Sequence, residues 1–149
     1  MKSIIVITGG AGFIGTNLIA FLIKKTKHKI ISIDDYSTGS IRNHIKNDKV
    51  KYIKGDTKNI SKILKKIKND IQTIFHFGEF SRIYQSFKLI DNCYYSNMIG
   101  TYEVIKFCSK HNIRIIYSAS SSKLGNKGKD ENLSPYSWSK SKNIEFIEN

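Results

Sequence analysis

The sequence predicts an α/β fold, a doubly wound parallel sheet with helices on both faces. Short β-branched apolar runs alternate with helical patterns along the chain, the order that builds parallel strands joined by crossover helices. The runs are apolar almost throughout, as strands covered on both faces must be. A glycine-rich turn, Gly9-Gly10-Ala11-Gly12-Phe13-Ile14-Gly15, joins the first run to the first helical pattern. The 149 residues, 40% hydrophobic and 25% charged, suffice for one domain with its own core. We read residues 1–149 as a single unit.

The elements follow in order. Residues 3–8 form the first strand. Phe13–Lys25 has helical periodicity, with Ile14, Leu18, Phe21 and Leu22 on one face. Lys29–Asp34 and residues 50–55 are strands. Residues 59–68 read as a helix whose apolar Ile60, Ile63, Leu64 and Ile67 share a side. Strands are expected at 72–77 and 113–118, with a long helix at 91–111 between them. Residues 118–134, which include Gly125 and Gly128, are the longest loop and are expected beside the site. Pro135–Glu148 closes the chain as a helix, with Ser134 as its cap and Pro135 at its first position.

The formal net charge is +13, carried by 22 Lys and 3 Arg. Sequence-specific nucleic-acid readers favour arginine forks on a localised patch, so spread lysines read as solvated surface. Even the densest run, Lys62 to Lys68, fits the outer side of an amphipathic helix. The charge would still help to attract a phosphorylated ligand. No apolar stretch is long enough to span a bilayer. The apolar start runs into the glycine turn rather than a cleavage site, so a cytoplasmic protein with no membrane partner is expected. Cys93 and Cys108 are then expected to be reduced thiols. His28, His44, His76 and His111 are scattered without ligand spacing, and no metal is expected.

The glycine turn sits between a strand and a helix, the setting that makes such a motif specific. Gly9 permits the tight turn, Gly12 lets a pyrophosphate approach the backbone, and Gly15 lets helix and strand pack closely. The helix N-terminus offers free N–H groups to phosphate. The second strand ends at Asp34, 19 residues beyond Gly15. An acid there accepts both hydroxyls of an adenosine ribose and repels a 2′-phosphate, which favours NAD over NADP. Asp35 is the neighbouring alternative. Gly55-Asp56 ends the third strand, on the adenine side of such a site.

Further motifs continue in order: Asp34-Asp35-Tyr36-Ser37-Thr38-Gly39, Phe75-His76-Phe77-Gly78, Asn97-Met98-Ile99-Gly100-Thr101, the serine cluster from Tyr117 to Ser122, and Tyr136-Ser137-Trp138-Ser139-Lys140. Together with the glycine turn, they resemble the extended short-chain dehydrogenase/reductases, in particular the NAD-dependent nucleotide-sugar epimerase/dehydratase group. The resemblance runs from Met1 to the last residue. It implies a Rossmann-type fold and NAD held by Gly9, Gly12, Phe13, Ile14, Gly15, Asp34, Asp56, Thr57, Phe77 and Lys140. It also implies Tyr136 as acid/base on a sugar hydroxyl, Lys140 as its partner, and a third hydroxyl. Counting back from Gly125 places that hydroxyl at Ser120, with Ser118, Ser121 and Ser122 as rivals. Asn97 matches a residue that is usually structural.

Tyr136 and Lys140 lie four apart on one helix and so share a face. The ammonium and the helix N-terminus are both expected to depress the phenol from its ordinary pKa of about 10. Two departures from the family pattern stand out. After His76-Phe77 the family often has small residues, whereas this chain has Gly78-Glu79-Phe80-Ser81-Arg82. Glu79 and Arg82, three apart, are expected to pair with each other; alternatively Arg82 meets a phosphate. Where sugar dehydratases carry an Asp-Glu pair, this chain has Ser121-Ser122, which argues against elimination of water.

The implied reaction is epimerisation through a keto-sugar, with hydride leaving and returning, and UDP-glucose 4-epimerase activity is the nearest specific expectation. The implied partners are a UDP-hexose and a second copy docked through residues 91–111 and 135–148. The chain ends nine residues after Lys140, where family members continue into a substrate-binding region. A fragment, a truncated product and one half of a split enzyme are therefore all expected possibilities. A catalytically inactive NAD-binding module is the main alternative function. A dehydratase and a basic nucleic-acid binder rank below it.

Overall fold

Five parallel strands form one sheet in the order β3-β2-β1-β4-β5. They are β1 (Ile4–Thr8), β2 (Lys29–Asp34), β3 (Val50–Lys54), β4 (Ile71–His76) and β5 (Arg114–Tyr117). The computed structural model describes residues 3–123 and 125–149. Along β1, Ile4 and Val6 point to one side and Ile5 and Ile7 to the other, and all four are buried. Two cores result. Ile4, Val6, Ile31, Ile33 and Ile74 pack with Ile60, Leu64, Val104 and Phe107. Ile5, Ile7 and Ile30 pack with Ile19 and Leu22. Burial on both faces explains why the strands lack polar alternation.

The helix α1 (Phe13–Lys25) begins directly after the glycine turn. Its C-terminal carbonyls are capped from a distance, because Lys49 Nζ donates to the carbonyls of Ile23 and Thr26, both at 3.0 Å. The expected helix at 59–68 is shorter than its periodicity suggests. A 3₁₀ turn (Thr57–Asn59) leads into α2 (Ile60–Ile63), and a second 3₁₀ turn follows at Lys68–Asp70. After Leu64 the backbone bonds tighten to three-residue spacing, Ile67 to Leu64 and Asp70 to Ile67. This turns the chain back towards Ile71 while Leu64 stays buried.

Residues 79–90 also fold more than the sequence suggested, into α3 (Ile83–Lys88). The expected helix at 91–111 has three parts: α4 (Ile90–Tyr94), a π segment (Tyr95–Gly100) and α5 (Thr101–His111). The expected loop at 118–134 is largely wound into 3₁₀ turns, Ser121–Lys123 and Gly125–Asn132. The last helix, α6 (Pro135–Glu148), is capped by Ser134, whose hydroxyl accepts from Ser137 N, and has proline in its first turn as expected. It packs on α3, α4 and the π segment. No helix among the described residues is long and apolar enough to cross a membrane.

Candidate active site

The strand order reverses at β1, whose neighbours β2 and β4 lead away in opposite directions. A crevice forms outside the C-terminal strand ends at such a switch point. Here it is a cleft of about 680 Å³ lined by the segments that leave all five strands.

The glycine turn floors one end. Gly9 has φ +70°, and a Cβ there would lie 2.7 Å from the Phe77 backbone carbon. A Cβ on Gly15 would lie 2.3 Å from the Gly9 carbonyl oxygen, so glycine is what lets α1 start against the turn. At Gly12 a Cβ would meet only the Gly9 oxygen, at 3.3 Å. Gly12 caps α1 without a side chain, leaving the first amides of the helix open to an anion. The exposed Phe13 and Ile14 also line the cleft.

Asp34 is 8% exposed. One carboxylate oxygen accepts from Ala11 N and the other from Tyr36 N, both at 2.9 Å. These bonds fix a carboxylate on the cleft wall. Asp35 also borders the cleft but is exposed, and its carboxylate accepts from the amide and hydroxyl of Ser37. Asp56 lines the cleft while capping the next 3₁₀ turn through Lys58 N and pairing with Lys58 Nζ at 3.0 Å. Thr57 and Phe77 complete this lining. The donors and glycines therefore fit a dinucleotide, with phosphates at the turn and a ribose at Asp34.

Tyr136 and Lys140 lie on α6 at the other end of the same cleft. The Ser120 hydroxyl acts on the Tyr136 phenol, whereas among its rivals it is Ser118 that lines the cleft. Ser118 donates to the His76 carbonyl at 3.2 Å, and Ser122 bonds Ser120 at 2.8 Å. Asn97 is structural, as expected. Its carboxamide accepts from Phe80 N at 2.7 Å and donates to Phe80 O at 3.1 Å, and it is fully buried.

Glu79 departs most from expectation. It does not pair with Arg82, which has no ion pair among the described residues and opens onto the cleft. Glu79 pairs instead with Lys140, the two side chains being 4% and 3% exposed. Lys140 also donates to the Ser118 carbonyl and lies 4.2 Å from the Tyr117 ring centroid. The carboxylate accepts further bonds from Thr101 Oγ1 and Tyr117 Oη at 2.9 Å and from Asn143 Nδ2 at 3.2 Å.

Burial overturns the expected depression of Tyr136: it pushes the phenol up, more than the Ser120 hydroxyl lowers it, and the Glu79 charge adds a smaller push in the same direction. Burial lowers the Lys140 ammonium, and Glu79 pulls it back up. Sequence reasoning also missed Ser86 and Ser96. Ser86 accepts from Tyr136 N at 3.3 Å, and Ser96 accepts from Phe80 N at 3.1 Å. Neither carried a motif.

Residues 5–149 match the family model described as the NAD dependent epimerase/dehydratase family. The chain belongs to that family. Similar members include the UDP-glucose 4-epimerase of Neisseria meningitidis serogroup C, 27% identical over 95% of this chain and 46% of that protein. The dTDP-D-glucose 4,6-dehydratase of Dictyostelium discoideum is 33% identical over 74% of this chain and 27% of its own length. Among solved structures, the UDP-N-acetylglucosamine 4-epimerase of Methanobrevibacter ruminantium, in complex with UDP-N-acetylmuramic acid, superposes with a TM-score of 0.83. It is 26% identical, over 99% of this chain and 50% of that one. The Thermus thermophilus UDP-glucose 4-epimerase in complex with NAD shares the fold, with a TM-score of 0.81 at 16% identity, over 97% of this chain and 50% of that one. The chain thus spans half or less of the length of these family members.

Proposed function

We propose that this chain forms the NAD-binding and proton-transfer part of a nucleotide-sugar epimerase of the UDP-glucose 4-epimerase type. The observation that carries the reading is one cleft that joins the glycine turn and Asp34 to Tyr136 and Lys140. Gly9, Gly12 and the open start of α1 would hold the pyrophosphate, Asp34 the adenosine ribose, and Asp56, Thr57 and Phe77 the adenine side. Phe13, Ile14 and Gly15 shape the turn, and Lys140 belongs to the nicotinamide side. A bound nicotinamide would supply hydride transfer to and from a sugar carbon.

The chain's own part is proton handling. Tyr136 takes the proton of the sugar hydroxyl as the carbon is oxidised and gives it back on reduction. The Ser120 hydroxyl holds the same oxygen. Arg82, whose guanidinium has no ion pair among the described residues, faces the cleft as a donor to a phosphate of the nucleotide sugar. The Ser121-Ser122 pair supports epimerisation over water elimination, since the latter needs an acid and a base at that place. A UDP-hexose is the proposed substrate.

Calorimetry with NAD and turnover of UDP-sugars test the reading. NAD should bind, and Asp34→Ala should weaken binding at least about tenfold, the loss expected for hydrogen bonds to a charged group. Tyr136→Phe should abolish interconversion of UDP-sugars in the protein that shows it. NAD binding without turnover by this chain or its complexes would favour an inactive NAD-binding module. Failure to bind NAD would reject the proposal.

A further inference from the structure

We infer that Glu79 is a positioning residue of this site, the buried counter-ion that fixes the Lys140 ammonium one helical turn from Tyr136 and cancels its charge there. The inference rests on the reading of Tyr136 and Lys140 as the reactive pair. It goes further by giving that pair a third, charged member.

The hydrogen bonds converge on Glu79 from several elements. The amides of Phe77 and Gly78 donate to Thr8 Oγ1 at 3.2 and 3.0 Å. Thr8 Oγ1 lies 2.6 Å from His76 Nδ1, and His76 Nε2 lies 2.9 Å from Thr101 Oγ1. Thr101 gives its hydroxyl proton to Glu79. His76 Nε2 must therefore be the donor to Thr101, and Nδ1 the acceptor from Thr8. This fixes a neutral imidazole and one direction for the whole chain, which ends at the carboxylate. Tyr117 on β5 and Asn143 and Lys140 on α6 donate to the same group. A carboxylate held by so many donors cannot swing away, and its ammonium partner is held with it.

The pair is not a remote structural bridge. Both members line the cleft, and one is the lysine of the Tyr136–Lys140 motif. The groups that act on Tyr136 are Ser120 beyond β5, Glu79 beyond β4, Cys93 on α4 and Tyr117 on β5. Glu79 is the charged group among these, and its counter-ion Lys140 stands one turn further along the helix that carries Tyr136. Arg82 opens onto the same cleft from the segment after Glu79. A small residue at position 79 would leave the ammonium uncompensated and the hydroxyls of Thr101 and Tyr117 without their acceptor.

Carbon NMR of ring-labelled tyrosine follows the phenol without cofactor or sugar, with the resonance assigned by its loss in Tyr136→Phe. In Glu79→Gln the Tyr136 titration should move to lower pH, a roughly tenfold weaker hold on the proton, and Glu79→Asp should restore it. A purely structural carboxylate would leave the titration in place. An unchanged Tyr136 titration in folded Glu79→Gln overturns the inference. Should Glu79→Gln fail to fold, the double variant Glu79→Gln/Lys140→Met, which removes both charges, should fold again and titrate like the parent. A double variant no more stable than the single one overturns the inference equally. Neither readout depends on NAD or UDP-sugar, so failure of the proposed function shows separately, in binding and turnover.

Discussion

At Asp34 the same carboxylate that faces the cleft also accepts the amides of Ala11 and Tyr36. Asp34→Ala should therefore cost stability as well as NAD affinity. Leaving two amides without acceptors predicts a loss of about 1–3 kcal/mol in urea unfolding. Asp34→Asn keeps one acceptor oxygen and should fall between the two. Asp34 was legible in the sequence because its place depends on neighbours close by, the glycine turn and the end of a strand. Glu79 was not. Its partner Lys140 is 61 residues away, and local spacing offered Arg82 instead. Tyr136 was singled out by its motif, but the sign of its perturbation was not legible, because the largest influence is burial by elements far away in the chain.

Gly15 and α1 show what an element owes to one position. Gly15→Ala places a methyl 2.3 Å from the Gly9 oxygen and 2.6 Å from Gly10 Cα, both backbone atoms. The turn must shift, at a cost of about 1–3 kcal/mol by the scale of overpacked sites. Thermal unfolding should show a lowered midpoint, and NAD affinity should fall with it. Strands and long helices were legible at this scale, because burial on both sheet faces imposes a pattern that any one strand displays. The break after Ile63 was not, since Ile67 keeps the helical pattern while the chain turns at three-residue spacing. Nor was α3, whose Ile83, Tyr84 and Phe87 remain exposed and so give no inward periodicity.

For the whole molecule, His76 couples stability to pH. Burial lowers its pKa from 6.5 to about 4, with Glu79 opposing and Lys140 assisting. In the unfolded chain the imidazole returns to about 6.5. Between these values the unfolded chain binds the extra proton, so stability rises with pH. The contribution is complete above about 6.5 and is lost progressively as pH falls towards 4, to a total of about 3 kcal/mol. Urea midpoints from pH 7 to 4 should show this slope, and His76→Gln should flatten it.

A second whole-molecule expectation concerns aromatic side chains at the surface of α4, α5 and α6. Tyr94 is exposed on α4, Tyr102 on α5, and Trp138 and Phe146 on α6, with the Tyr102 and Phe146 rings 6.1 Å apart. A contiguous apolar surface of this kind favours self-association. We expect a concentration-dependent dimer in sedimentation, lost in Tyr102→Lys/Phe146→Lys.

The π segment at Tyr95–Gly100 carries one residue more per turn than the helix on either side. Within it, Asn97 and Ser96 grip the Phe80 backbone next to Glu79. Deleting a single residue there would let α4 and α5 join as an uninterrupted α-helix, locally the more favourable geometry. The same deletion would leave α4 and α5 close to their present rotation, because the wide turn already absorbs the extra residue, but it would remove the bulged backbone from which Ser96 and Asn97 reach Phe80. The extra residue therefore sits in the helix against the local preference for α geometry. A one-residue deletion should raise helicity by circular dichroism while weakening NAD binding.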